Sequence, residues 1–114
     1  KYIACICDKD TFVAVSGAVK KEFMERRISS ELEEIIYEKN TVVVNSSEDG
    51  ELYPLVEDED VPSKYTAQVI VPINNMGDLV GAVILLSREP GVTMGDTEVK
   101  VAETTASFLA RQLG

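Results

Sequence analysis

Few residues in this sequence could do chemistry, and their types narrow the choice at once. There is no histidine among the 114 residues. That removes Ser-His-Asp and Cys-His catalysis, histidine-held haem and imidazole-ligated zinc. The two cysteines, Cys5 and Cys7, are too few for a structural zinc site, which needs four N/S ligands. They lie two apart in a β-rich stretch, so they share a face and are spaced poorly for a mutual disulfide. Redox chemistry and burial as small hydrophobes are the two readings of such a pair, and burial is the expectation. Reduced thiols fit a cytoplasmic location. No catalytic residue, metal site or cofactor is expected, and the protein is read as a non-enzyme.

The carboxylates are the next candidates. Formal charge is −9, and seven acids without a base fall in residues 46–60: Glu48, Asp49, Glu51, Glu57, Asp58, Glu59 and Asp60. The acids at 57–60 could bind a divalent cation, which takes oxygen ligands of this kind. That stretch lacks the alternating Asp/Asn ligands and turn glycine of a calcium loop, so a solvated loop that repulsion keeps extended or mobile is the expectation. Bases cluster only at Lys20-Lys21 and Arg26-Arg27, diluted by Glu22 and Glu25. Tight DNA binding by this chain alone is therefore disfavoured, since phosphate affinity comes from grouped Lys and Arg.

Two polar spots could orient a small ligand. Ser16-Gly17 ends a strand, where glycine lets a backbone approach something closely; an ordinary strand-to-helix turn is the other reading. Thr66 and Gln68 share one strand face, opposite Ala67, Val69, Val71 and Ile73. They read either as the polar groups of a pocket or as a solvent-facing edge.

These residues need elements to hold them. Residues 2–7 and 11–15 read as a hairpin around the turn Asp8-Lys9-Asp10. Val19, Phe23 and Met24 suggest a helical turn. Residues 29–39 form a helix with Ser30 and Glu33 at capping-box spacing and an apolar face of Ile28, Leu32, Ile35 and Ile36, stopping at Asn40. Residues 41–44 are β-branched. Residues 67–73 and 79–87 make a second hairpin around Asn74–Asp78, its later strand apolar on both faces. A last helix spans about 94–113, with Thr93 as N-cap and Asp96 three residues on. The order β-β-α-β-loop-β-β-α, with strands in hairpins, predicts one α+β domain with a mainly antiparallel sheet. No run of apolar residues is long enough to span a membrane.

The last helix has two apolar faces. Val99, Ala102, Ala106, Leu109, Ala110 and Leu113 form one stripe, and Val101 and Phe108 lie almost opposite. One stripe docks on the sheet. The second predicts a homo-oligomer interface at Val101 and Phe108, or a segment of the same chain lying over them.

Val15-Ser16-Gly17 before Lys20-Lys21, Ile28-Ser29 opening a helix, Gly81-Ala82-Val83, Thr93-Met94-Gly95, Glu103-Thr104 and residues 108–112 are spaced as in a known family. The sequence resembles the C-terminal domains of the stage V sporulation protein T family, sporulation transcription regulators of spore-forming bacteria. The resemblance covers nearly all of residues 1–114, is strongest at the two ends and weakest over 40–66. It implies a GAF-like fold: a central antiparallel sheet with helices on its faces, often with a small-molecule pocket. It also implies a regulatory domain that assembles the oligomer and senses an unknown small molecule, or, as the alternative, a purely structural oligomerisation domain. DNA would be bound only by an AbrB-type N-terminal domain absent here, and a helix before the first strand would be missing too. Both fit a chain that opens on Lys1. The resemblance places Ser16-Gly17 near the GAF pocket and makes Ser16, Gly17, Thr66 and Gln68 the candidate ligand contacts, with 46–64 as lid. The sequence carries no cyclic-nucleotide signature of nucleotide-binding GAF domains.

Overall fold

The computed structural model describes residues 2–49, 52–57 and 65–113, and for Ser47, Glu48 and Leu113 the backbone alone. The first hairpin forms as the alternation predicts, with β1 (Ile3–Cys7) antiparallel to β2 (Phe12–Ser16). Asp8 fixes its turn, its Oδ1 accepting from the N–H groups of Asp10 and Thr11 at 2.7 and 2.8 Å. A 3-10 turn, Lys20–Glu22, supplies the predicted helical turn. Helix α1 (Ser30–Glu38) starts one residue later than the sequence reading. Ser29, not Ser30, is its cap: Ser29 Oγ accepts from Leu32 N–H at 3.0 Å and its carbonyl from Glu33 N–H. Lys39, left-handed with φ 64°, ends the helix.

Strand β3 (Val42–Asn45) runs into a one-turn helix α2 (Ser46–Asp49). Asp49 Oδ2 reaches back to accept from Asn45 N–H at 2.9 Å. The second hairpin, β4 (Ala67–Asn75) and β5 (Asp78–Ser87), is longer than expected at its turn end. Helix α3 (Asp96–Leu113) closes the chain. All neighbouring strands are antiparallel, in the order β2-β1-β5-β4-β3. The predicted α+β fold, a mainly antiparallel sheet with helices on its faces, is the one observed.

Alternation on the strands makes two cores. On one face Ile3, Cys5, Ile70, Ile84 and Leu86 meet Leu32 and Ile36 of α1, with Phe12 and Phe23 edge to face at 5.4 Å. On the other Val69, Val71, Val83 and Leu85 meet Ala102, Ala106 and Ala110 of α3. Central β5 is therefore apolar on both sides, as its composition requires. Gly81 lies hard against the end of β1: a Cβ there would sit 1.8 Å from the Cys7 carbonyl oxygen.

The start of α3 differs from expectation. Its N-cap is Gly95, not Thr93, and Glu98 Oε1 accepts from Gly95 N–H at 2.8 Å. That N–H is the main reason the Glu98 carboxyl titrates below its ordinary value. The physical cause is Asn45. Its buried carboxamide accepts from Met94 N–H at 2.8 Å and donates to Met94 C=O at 2.9 Å. Both backbone groups of Met94 are spent, so the helix begins beyond it.

Candidate functional site

The α1 face is sealed by the chain's own backbone. Residues 52–57, expected to be loose because of neighbouring charge, cross this face and bury Leu52, Leu55 and Val56. Gln68 clamps them: its Oε1 accepts from Tyr53 N–H at 3.0 Å and its Nε2 donates to Tyr53 C=O at 2.6 Å. Ser29 holds the next residues, Oγ donating to Pro54 C=O at 2.6 Å and N–H to Leu55 C=O at 2.8 Å. Three buried side chains and four hydrogen bonds thus override one exposed acid, Glu57, whose partner Arg27 is 3.8 Å away and also exposed. Residues 58–64, with Asp58, Glu59 and Asp60, lie outside the described residues, so the cation and lid readings of that stretch do too.

Beneath this face Cys5 and Cys7 are both 1% exposed. Burial pushes each thiol up to about 12. Such thiols are almost wholly protonated at neutral pH and make poor nucleophiles.

At the end of the same face stands Arg88, the first residue past β5. Its Nη2 donates to Glu22 Oε1 at 2.6 Å, and its guanidinium lies 5.5 Å from the Tyr65 ring centroid. Its Nε is buried with no acceptor. The sequence reading missed Arg88. The available signal was a lone base directly after an eight-residue apolar run in a chain poor in bases.

The α3 face is only partly covered. Helix α3 lies over β4 and β5, pinned at its start by Tyr2 Oη donating to Glu98 Oε2 at 3.1 Å. Beside it runs a groove of about 260 Å³ lined by Ala4, Ile6, Ala14, Val83, Leu85 and Val101. Ala102, Ala106 and Ala110 are buried on the sheet, Val99 and Leu109 partly so, while Val101 and Phe108 are each 55% exposed.

The four candidate ligand contacts are not brought into one pocket. Ser16 lines the α3-side groove. Gly17, at φ 87°, turns so tightly against β1 that a Cβ would meet the Tyr2 carbonyl oxygen at 2.5 Å. Thr66 Oγ1 donates to Glu89 C=O at 2.7 Å and pins the end of β5. Gln68 points to the α1 face, fully buried and spent on Tyr53. Register places β2 three strands from β4, a span of roughly 14 Å. Among the described residues no cluster of His, Cys, Asp or Glu could hold a metal, and no helix is long and apolar enough to cross a membrane.

The family described as "Stage V sporulation protein T C-terminal, transcription factor" matches residues 1–114. Stage V sporulation protein T of Bacillus subtilis (strain 168) is 40% identical over 108 residues, 95% of this chain and 57% of that protein. The chain thus spans little more than half the length of that relative. Among solved structures, the GAF domain from a phosphoenolpyruvate-protein phosphotransferase of Coxiella burnetii is similar with a TM-score of 0.71 at 17% identity, covering 98% of this chain and 70% of that one. A GAF domain/HD domain protein from Geobacter sulfurreducens gives 0.67 at 14%, covering 96% and 77%. At such identities the likeness is one of fold, and the fold is GAF.

Proposed function

The chain belongs to the family of stage V sporulation protein T C-terminal domains, and from that premise we propose that it is the assembly and regulatory part of a sporulation transcription factor. It works in the cytoplasm, not as an enzyme, and DNA is contacted by a domain outside these residues. The net charge of −9 supports that division.

The observation that carries the assembly reading is the outer side of α3. Val101 and Phe108 lie two helical turns apart on one line and stay half-exposed, although burying such a side chain is worth roughly 1.5–3 kcal/mol. Small Thr104 flanks the line, and Thr105 turns its hydroxyl inward to Val101 C=O at 2.9 Å, which leaves room for a second helix. The apolar groove over β1 and β2 continues this surface. A second copy of the domain, or a helix from upstream in the same polypeptide, covers it in the assembled protein.

The test is Phe108→Glu in the longer parent chain, followed by sedimentation velocity. The expected result is a shift to smaller species with unchanged far-ultraviolet circular dichroism. A folded variant of unaltered size would move the interface elsewhere. The packed 52–57 segment favours the structural alternative at that face, whereas the half-used guanidinium of Arg88 favours ligand sensing.

A further inference from the structure

An arginine side chain presents Nε–H and Nη2–H on one edge, spaced to receive both oxygens of one carboxylate. In this protein that edge of Arg88 is half filled. Nη2 donates to Glu22 Oε1 at 2.6 Å, while Nε, beside it, is buried without an acceptor. Leaving a buried donor unpaired costs free energy that a second oxygen would recover. Glu22 is held on the 3-10 turn Lys20–Glu22 and delivers only one oxygen. Tyr65, 2% exposed, has its ring centroid 5.5 Å from the guanidinium and also meets Arg88 through a side-chain hydrogen bond.

The group is also well placed. Arg88 follows β5 where Thr66 hydrogen-bonds the carbonyls of Ser87 and Glu89. The turn at Gly17 closes on Tyr2 at the same end of the sheet.

We propose that the Nε–Nη2 edge of Arg88 is the binding point for the carboxylate of a small molecule, and that Glu22 is an internal stand-in which the ligand displaces. A carboxylate is favoured over a phosphate because Arg88 already holds one, and because a dianion is repelled by a chain of net charge −9. Displacement frees Glu22 and with it the 3-10 turn that precedes Phe23, a fully packed member of the α1-face core. Binding at the sheet end thereby reaches the core. This proposal is separate from the assembly reading: one is decided by titration and the other by molecular size.

The experiment follows the arginine Nε–H signals by 1H–15N NMR while acetate replaces chloride at constant ionic strength. Glu22→Gln removes the competing charge, so acetate should bind this variant about tenfold more tightly than the parent, the scale of one charge-assisted hydrogen bond. The Arg88 Nε–H should move downfield and saturate. Arg88→Lys keeps the charge but loses the edge, and should show no saturable acetate response in its backbone signals. Equal acetate affinity in the parent and Glu22→Gln, or no saturable response in either, would overturn the proposal. So would an undiminished response in folded Arg88→Lys. If Arg88→Lys does not fold, the comparison of Glu22→Gln with the parent still decides.

Discussion

The two faces of the sheet are built from equally apolar strands, yet the chain finishes them differently. On the α1 face, helix α1 and the 52–57 segment cover the sheet, and polar clamps to backbone hold the segment in place: Ser29 to Pro54 and Leu55, Gln68 to Tyr53. On the α3 face one helix covers β4 and β5, and one clamp, Asn45 to Met94, sets where it starts. The outer side of that helix keeps Val101 and Phe108 half-exposed. The difference teaches that the chain closes one face of the sheet itself and leaves the other partly open. Substitutions on the two sides should therefore separate cleanly.

The largest effect is expected in the sealed core. Leu55 is fully buried, so Leu55→Ala should lower the unfolding free energy by about 2–5 kcal/mol in a urea titration. A loss below about 1 kcal/mol would mean that the segment is not packed as described. Next is the clamp. Gln68→Ala strips both backbone groups of Tyr53 of their partners and should cost about 2–3 kcal/mol, with faster amide exchange over residues 52–56. A neutral outcome would return Gln68 to the list of ligand contacts.

The thiols give a third measure of sealing. Each is raised to about 12 by burial, so the folded state keeps its protons where the unfolded chain releases them. Stability contributed this way is complete below the unfolded thiol value and is lost as pH rises toward about 12. At about pH 10 the loss should be roughly 1 kcal/mol per thiol, read from urea midpoints of the parent against Cys5→Ala/Cys7→Ala. A flat profile would show that water reaches this face. The smallest effect belongs to the open side. Phe108→Ala should change monomer stability by less than about 0.5 kcal/mol, measured at concentrations too low for association. A larger loss would mean that Phe108 is packed within its own domain.

Much of the fold was legible because hydrophobic period is local. Alternation at residues 3–7 and 67–73, the apolar run at 79–87 and the stripe at Val99, Ala102 and Ala106 each state their element without help from elsewhere. Val101 and Phe108 stood out for the same reason, as apolar residues on the wrong side of a helix. The candidate pocket was less legible because its polar residues answer to distant backbone. Nothing near Gln68 in sequence says that its amide will be consumed by Tyr53, fifteen residues back. Nothing near Asn45 says that it will fix Met94 and push the helix start to Asp96. The residues 46–57 misled in another way. Counting charges predicted a loose loop, but Leu52, Leu55 and Val56 within it carry more burial than the exposed acids repel. Arg88 was hidden by its context, a single base whose partner Glu22 lies 66 residues away.

The short bond from Asn45 N–H to Asp49 also bears on how these molecules behave at high concentration. Strand β3 is the outer edge of the sheet, four residues without charge, and the alternation of its ladder turns the N–H and C=O of Val43 toward open solvent. Such a row invites the next molecule to add a strand, and then another. Asp49 occupies the neighbouring donor and sets a carboxylate where an incoming strand would place its carbonyl. The sheet thereby ends at β3 with one of its outward donors already paired.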